Sequence, residues 1–202
     1  GGDYDMNDVI VEYRREVTFN TKNMVTKITD IFTPVHDGAT FSNAFAYQID
    51  PGQFGKVTST NVKVENETSS IIVTPNVKES IGKTYTITRE FNASFKKDDL
   101  KGYNPYIIVK YAEGQKDRTE VHLPKSKATS LANQSLIGTN QDAYYIDREG
   151  EYPFAIDIPV LGFKPVTERQ RIDSEYPDFT KWAESKGAKY TDWYDNYTGP
   201  RK

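Results

Sequence analysis

Short segments with β-strand character fill most of the first 160 residues of the chain. Residues 9–19 are rich in β-branched and aromatic side chains, and residues 24–32 repeat apolar side chains at alternate positions. A period of two predicts strands, and we expect Pro34 to end the second one. Further predicted strands cover residues 44–49, 57–64, 70–73, 84–91, 106–111, 118–123, 143–147 and 154–158.

Turn-forming residues separate these segments, as in residues 36–38 (HDG) and 50–52 (DPG). Glycine, proline and aspartate favour the backbone angles that tight turns need. Little helical pattern lies between the predicted strands, which favours antiparallel pairing over alternating strand and helix units. The prediction is therefore a mainly β chain that folds as an antiparallel β-sandwich.

The chain changes character after residue 160. Pro177 suits the first turn of a helix, and Asp178 complements the positive end of the helix dipole. The apolar residues on one helical face are Phe179, Trp182 and Ala183. Gly187 then fits a C-terminal stop. We expect one domain, residues 1–202, with a sandwich core in residues 1–160 and a helical, aromatic cap in residues 161–202.

The length, charge and cysteine content of the chain exclude several classes of function. The 202 residues suffice for one large domain, and the 13% aromatic content argues against disorder despite a hydrophobic fraction of 36%. A net charge of -3 gives no basic footprint for nucleic acid. The absence of cysteine excludes disulfides and thiolate sites. No apolar stretch approaches the roughly 20 residues that a transmembrane helix needs.

Oxygen-bearing side chains crowd the first eight residues, which we call the leader. They are Asp3, Asp5, Asn7 and Asp8. Oxygens at alternate positions are typical of calcium loops, because they can converge on one hard cation. The segment is not an EF-hand, since Asp8 stands where the loop needs glycine and a strand follows. Calcium prefers six to eight oxygens, so further ligands would come from backbone, water or a distant Asp142, Asp147 or Asp157.

Two other interpretations of the leader remain open at this point. Its carboxylates can be solvated, with Asn7 and Asp8 forming a turn before the first strand. Alternatively, a base such as Arg14 or Arg15 can pair with them.

Evidence for catalysis is weak. The chain has two histidines, and His36 lies in a predicted surface turn. Glu120 and His122 share one face of a predicted strand, so His122 is either a general base or a buried structural histidine. Serine-hydrolase, phosphate-loop, dinucleotide and zinc-protease motifs are absent. Carboxylates are numerous enough for a glycosidase pair, but the sequence does not select one.

Tyrosines form a second candidate set for ligand contact. Tyr103 and Tyr106 lie in a turn-rich region, where aromatic rings can stack on a sugar or a peptide side chain. The alternative is that they pack in the core with their hydroxyls bound locally.

Several short motifs in fixed order resemble one family. They are DYDMNDVIVEYR, GYNPYI, EVHLP, YPFAIDIP and YPDFTKWAESKG followed by DWY. This set resembles the LruC domain, or DUF4842 family, of bacterial proteins from Bacteroides-like organisms and Leptospira. The resemblance implies a β-rich domain with no established activity, exported and attached to the outer membrane, with a signal or lipid anchor upstream.

The resemblance also bears on the metal. Similar acidic motifs precede strands in other exported bacterial domains, which favours Ca²⁺ as a cofactor at Asp3, Asp5, Asn7 and Asp8. Where the family would supply an acidic pair, the loop GTNQDAY offers Asp142 alone, which implies weaker coordination here.

Together these observations predict a cell-surface binding or structural module, stabilised by calcium and not catalytic. The expected partner is a glycan or a cell-envelope protein, in an extracellular or outer-membrane location. The alternative is a glycan-active enzyme that uses carboxylates for catalysis and calcium for structure.

Overall fold

Two antiparallel sheets form the body of the molecule. The computed structural model describes residues 6–137, 139 and 152–200. Its strands are β1 (Ile10–Phe19), β2 (Val25–His36), β3 (Ala44–Gln48), β4 (Lys56–Val57), β5 (Lys63–Glu65), β6 (Ser70–Thr74), β7 (Tyr85–Glu90), β8 (Asn104–Ile108) and β9 (Glu120–His122). The four-stranded sheet has the order β1-β2-β7-β4, and the five-stranded sheet has the order β5-β6-β3-β8-β9.

The main core lies between the two sheets. Phe32 and Ile87 reach it from the four-stranded sheet, and Phe45, Tyr47 and Ile71 reach it from the five-stranded sheet. These side chains are at most 7% exposed. The alternation of apolar residues along β2 therefore has its expected cause, since every second side chain enters this core. The predicted mainly β, antiparallel sandwich is confirmed.

The five-stranded sheet is buried on its other face as well. Ala44, Ala46, Ile72, Tyr106 and Ile108 form a second cluster there. Residues 123–137 contact this face, because Asn104 donates to the carbonyl oxygen of Lys127 and Glu120 accepts from Thr129. With both faces covered, all five residues of β6 are buried, which explains why this strand lacks an alternating pattern.

Three details of the predicted strands are wrong. β2 continues through Pro34 to His36, since Pro34 pairs only with β1 and the pairing with β7 ends at Phe32. Residues 57–64 form parts of two strands in different sheets, because the turn-forming residues 59–61 redirect the chain. Residues 154–158 form no strand and pack against the cap. The predicted strand at 143–147 lies outside the described residues.

The predicted C-terminal cap is confirmed as two short helices, α1 (Ile172–Glu175) and α2 (Phe179–Glu184). Phe179 is fully buried in an aromatic cluster with Ile172, Tyr176 and Trp193. Gly187, at a φ of 79°, donates its N–H to the carbonyl oxygen of Trp182 and ends α2. The predicted helix start is two residues too early. Pro177 lies between the two helices, and α2 begins at Phe179.

Contacts at β1 join the sandwich to the cap and to residues 154–158, which pack against the cap. The Gly162 N–H donates to Glu12 Oε1 at 2.7 Å, and Tyr13 Oη donates to Asp157 Oδ2 at 2.9 Å. Immediately before β1, Asn7 also contacts the cap. The base of the leader thus lies where the sandwich and the cap meet.

Candidate functional site

The structure places two of the predicted metal ligands at the base of the leader. Asn7 is buried at 2% exposure, and Asp8 beside it is exposed. Asp3, Asp5 and Asp142 lie outside the described residues. Arg14 pairs with Glu16, and Arg15 lies 3.5 Å from Asp30. The two arginines proposed as partners for the leader are therefore engaged elsewhere.

Asn7 has a fixed orientation and an unsatisfied oxygen. Its Nδ2 donates to the Val166 carbonyl oxygen at 3.2 Å and to Glu168 Oε2 at 3.3 Å. Two acceptors on one side identify that atom as the nitrogen. Its Oδ1 is buried and has no hydrogen-bond partner among the described residues. Such an oxygen costs about 1–3 kcal/mol unless a cation or water satisfies it.

Asp37, in the turn after β2, is a second buried acceptor beside Asn7. Its side chain is 1% exposed, and Oδ2 has no hydrogen-bond partner among the described residues. Its Oδ1 accepts from the Ala39 N–H at 3.0 Å, and Lys78 Nζ lies 4.0 Å from that same oxygen. Burial raises the pKa of Asp37, and Lys78 opposes the rise only in part.

Gly38 brings the two acceptors together. Its N–H is shared between the carbonyl oxygens of Asn7 and Asp8, each at 3.1 Å. A Cβ on Gly38 would lie 2.9 Å from the Asn7 backbone oxygen and 3.2 Å from Asn7 Oδ1. Only glycine allows this approach, so the turn packs directly on the base of the leader. We call Asn7, Asp8 and residues 37–38 the leader junction.

Within the described residues, no group of three or more histidine, cysteine, aspartate or glutamate side chains is arranged to hold a metal. The leader junction contributes an amide oxygen and a carboxylate oxygen, both of the hard type that calcium selects. A complete site would need the upstream acids Asp3 and Asp5 or water.

The candidate pair Glu120 and His122 lies in a separate buried network on the outer face of the five-stranded sheet. Both side chains are fully buried. Glu120 Oε2 lies 2.8 Å from His122 Nε2, and Glu120 Oε1 accepts from Arg118 Nε at 2.6 Å. Arg118 reaches on to Glu65, with both contacts at 2.8 Å. Thr129 donates its N–H and its hydroxyl to Glu120, which holds residues 123–137 on the sheet.

Both ring nitrogens of His122 face oxygen acceptors. Nε2 faces the Glu120 carboxylate, and Nδ1 lies 2.7 Å from Asn104 Oδ1. The Asn104 amide nitrogen already donates to Gln48 Oε1 and to the Lys127 carbonyl oxygen, which fixes Oδ1 toward the ring. Each ring nitrogen therefore has a hydrogen-bond partner within the network. A buried ring engaged in this way favours the structural interpretation of His122 over that of a general base.

Acid should weaken this network. Burial would raise the pKa of Glu120, but hydrogen bonds from His122, Thr129 and Arg118 outweigh it and lower the pKa from 4.5 to about 2. A carboxylate with a depressed folded-state pKa contributes stability above its unfolded pKa and loses it as pH falls. We expect the free energy of unfolding to drop by about 3 kcal/mol from this group as pH falls from 4.5 toward 2.

Urea unfolding at a series of acidic pH values measures this loss. Glu120→Gln removes the titrating group and should give a shallower dependence of the unfolding free energy on pH. Equal slopes in the two proteins would contradict the assignment.

Of the candidate tyrosines, Tyr106 is buried in the core and Tyr103 is partly buried against it. Tyr106 is 2% exposed and stacks on His122, with ring centroids 4.6 Å apart. Burial raises its pKa to about 12. Tyr103 donates to both oxygens of Asp30 at 2.7 Å. Both hydroxyl groups thus have local partners, since Tyr106 accepts from Arg118 and Tyr103 donates to Asp30.

Sequence reasoning missed the network to which Tyr103 belongs. Asp30 Oδ2 accepts from Tyr47 at 3.2 Å and from two nitrogens of Arg89 at 3.3 Å. Asp30 and Arg89 are buried between the sheets. The sequence did contain an indication of this burial. Asp30 lies on the same face of β2 as Ile28 and Phe32, so the strand pattern places it in the core.

One cleft lies between the cap and the end of β9. Its lining includes Trp182, Pro124 and Pro153, together with Lys125 and Lys186. None of its lining residues is acidic. This cleft therefore lacks the facing carboxylates that glycoside hydrolysis requires.

None of the helices in the described residues combines the length and apolar character that a membrane span requires. A family model described as "Domain of unknown function (DUF4842)" matches residues 64–194. The leader precedes that range. Among curated proteins, none matches the sequence significantly.

A crystal structure at 2.08 Å resolution of a protein described as a "putative lipoprotein" from Bacteroides ovatus has a similar fold. The TM-score is 0.63 at 17% sequence identity, and the alignment covers 97% of this chain and 69% of that chain. At this identity the likeness establishes the fold.

Proposed function

The chain belongs to the DUF4842 family, and from this premise we propose that it is a module of an exported, envelope-associated bacterial protein. The likeness to a protein described as a lipoprotein supports that location. In this proposal the domain serves as a binding or structural module at the cell surface, with a glycan or an envelope protein as partner. Calcium stabilises it and takes no part in a reaction.

The unsatisfied Oδ1 of Asn7 is the observation that carries the calcium proposal. It is a buried oxygen at the end of an acid-rich segment, and Asn7 Nδ2 fixes its direction. A divalent cation there would neutralise the leader and hold it against the first strand. Because only the folded chain forms such a site, binding would stabilise the fold by mass action.

The buried state of Glu120 and His122 supports a role without catalysis. Their hydrogen bonds serve the packing of residues 123–137 on the sheet. The cleft beside Trp182 offers an aromatic side chain and two lysines, which suit ligand contact better than acid–base chemistry.

Calcium should raise the melting temperature of chelator-treated protein. At a concentration about 100-fold above Kd, mass action predicts about 2.7 kcal/mol, or roughly 5–10 °C for a domain of this size. Thermal unfolding followed by circular dichroism, with EDTA and then with excess CaCl₂, measures the effect. Asp5→Ala should abolish the rise, and MgCl₂ should reproduce little of it because magnesium retains its water shell. An identical melting temperature with and without calcium would refute the proposal.

A further inference from the structure

We propose that Asp37 is a direct ligand of the calcium ion and that the ion joins three segments: the leader, the turn after β2, and the start of the cap. This inference rests on the proposed function and extends it to a residue that the sequence did not indicate. The ion would contact Asp37 Oδ2 and Asn7 Oδ1, with water completing the shell.

The first support is the way Asp37 uses its two oxygens. Oδ1 is occupied by the Ala39 N–H and faces Lys78. Oδ2 is buried and has no partner among the residues that the structure describes. Lys78 donates to the Ala39 carbonyl oxygen at 2.5 Å, so its ammonium group is held on the Oδ1 side. A carboxylate oxygen buried in this way loses hydration, and Lys78 on the Oδ1 side compensates for that loss only in part.

The second support is that the two unsatisfied oxygens come from segments in direct contact. The Gly38 N–H binds the carbonyl oxygens of Asn7 and Asp8, and the space above the Gly38 Cα is filled by Asn7. Segments thirty positions apart in sequence therefore meet at Gly38, and each supplies a buried oxygen without a hydrogen-bond partner among the described residues. Among the described residues, Lys78 is the basic group paired with Asp37. Three carboxylates belong to the same region, those of Asp8, Asp37 and Glu168.

The link to the cap passes through Asn7. Its Nδ2 donates to Val166 and Glu168, at the start of the cap. Val166 is 2% exposed and belongs to the aromatic cluster of the cap. A cation on Oδ1 holds the amide plane in the orientation that these bonds require. Binding should therefore tighten the attachment of the cap as well as that of the leader.

Asp37→Asn tests the assignment with little change in shape. Asn retains the Oδ1 acceptor for the Ala39 N–H, and its neutral Nδ2 removes the buried negative charge at the position of Oδ2. In EDTA the variant should melt at the same temperature as wild type or higher. In calcium it should gain nothing, and its affinity should fall by more than about tenfold, since even outer-shell partners of a metal cost that much.

Isothermal titration with CaCl₂ and melting curves in EDTA supply the two measurements. Asp117→Asn is the matched control, because Asp117 is an exposed aspartate at a φ of 52° that asparagine also tolerates. It removes one carboxylate from another part of the chain and should leave calcium binding unchanged.

Each outcome decides a separate point. If wild type binds calcium and Asp37→Asn binds it equally well, this inference is wrong and the calcium proposal stands. If Asp37→Asn is destabilised equally in EDTA and in calcium, Asp37 is a structural residue and not a ligand. If wild type binds no calcium at all, both proposals fail, and a buried water between Asn7 and Asp37 takes the place of the ion.

Discussion

Replacing Arg118 with methionine should lower the free energy of unfolding by about 3–5 kcal/mol and the melting temperature by on the order of 10 °C. Arg118 is 1% exposed and is the cation between Glu65 and Glu120. Its loss leaves the fully buried Glu120 with His122 as its remaining basic neighbour, and leaves the partly buried Glu65 without its ion-pair partner. Removing one partner of a buried pair costs more than the pair contributes, because the remaining charge stays without compensation.

Urea unfolding followed by far-ultraviolet circular dichroism measures this change. Arg14→Met is the matched control, since Arg14 pairs with Glu16 on β1 while both side chains are more than half exposed. An exposed pair contributes about 0–1 kcal/mol. Equal effects of the two substitutions would show that the buried network contributes no more than a surface ion pair.

Trp193→Ala should destabilise the cap by about 3–5 kcal/mol. Trp193 is 1% exposed, and its ring contacts Tyr176 and Phe179 at centroid distances of 5.4 and 5.0 Å. Truncation leaves a cavity in a cluster of rigid rings that cannot close easily. The chain has two tryptophans, so in this variant the fluorescence of Trp182 reports on the cap alone.

The fluorescence transition in urea should move to a lower concentration, while the circular dichroism of the sheets shows whether the sandwich unfolds with the cap. Tyr190→Ala is the control in the same region, because Tyr190 is 46% exposed. An unchanged transition in Trp193→Ala would mean that the aromatic cluster does not stabilise the cap.

The sheets were predictable because their signal is local. Alternation in β1, β2 and β7 follows directly from the two faces of a strand. The same reasoning failed for residues 57–64, which were predicted as one strand. The two halves of this segment join different sheets, and a local pattern does not show which sheet each half joins. It also failed at Pro34, which β2 tolerates because its pairing with β7 has already ended.

The candidate sites were predictable only in part. The spacing of Glu120 and His122 placed them on one face of β9, where they do meet. Nothing local indicated that Arg118 would reach Glu65, which lies on the opposite edge strand of that sheet. Asp37 looked like an ordinary turn residue, since its unusual burial arises from the approach of Asn7. Contacts between distant segments leave no periodic trace in a single sequence.

β1 lies at the margin of the four-stranded sheet among the described residues, and it is ten residues long. An edge strand of this length can pair with the same strand of a neighbouring copy. Here Arg14 and Glu16 project at 68% and 57% exposure, and burying such charges against a second chain is unfavourable. Copies of the domain at high concentration should therefore resist fibre-like association and remain individually dispersed.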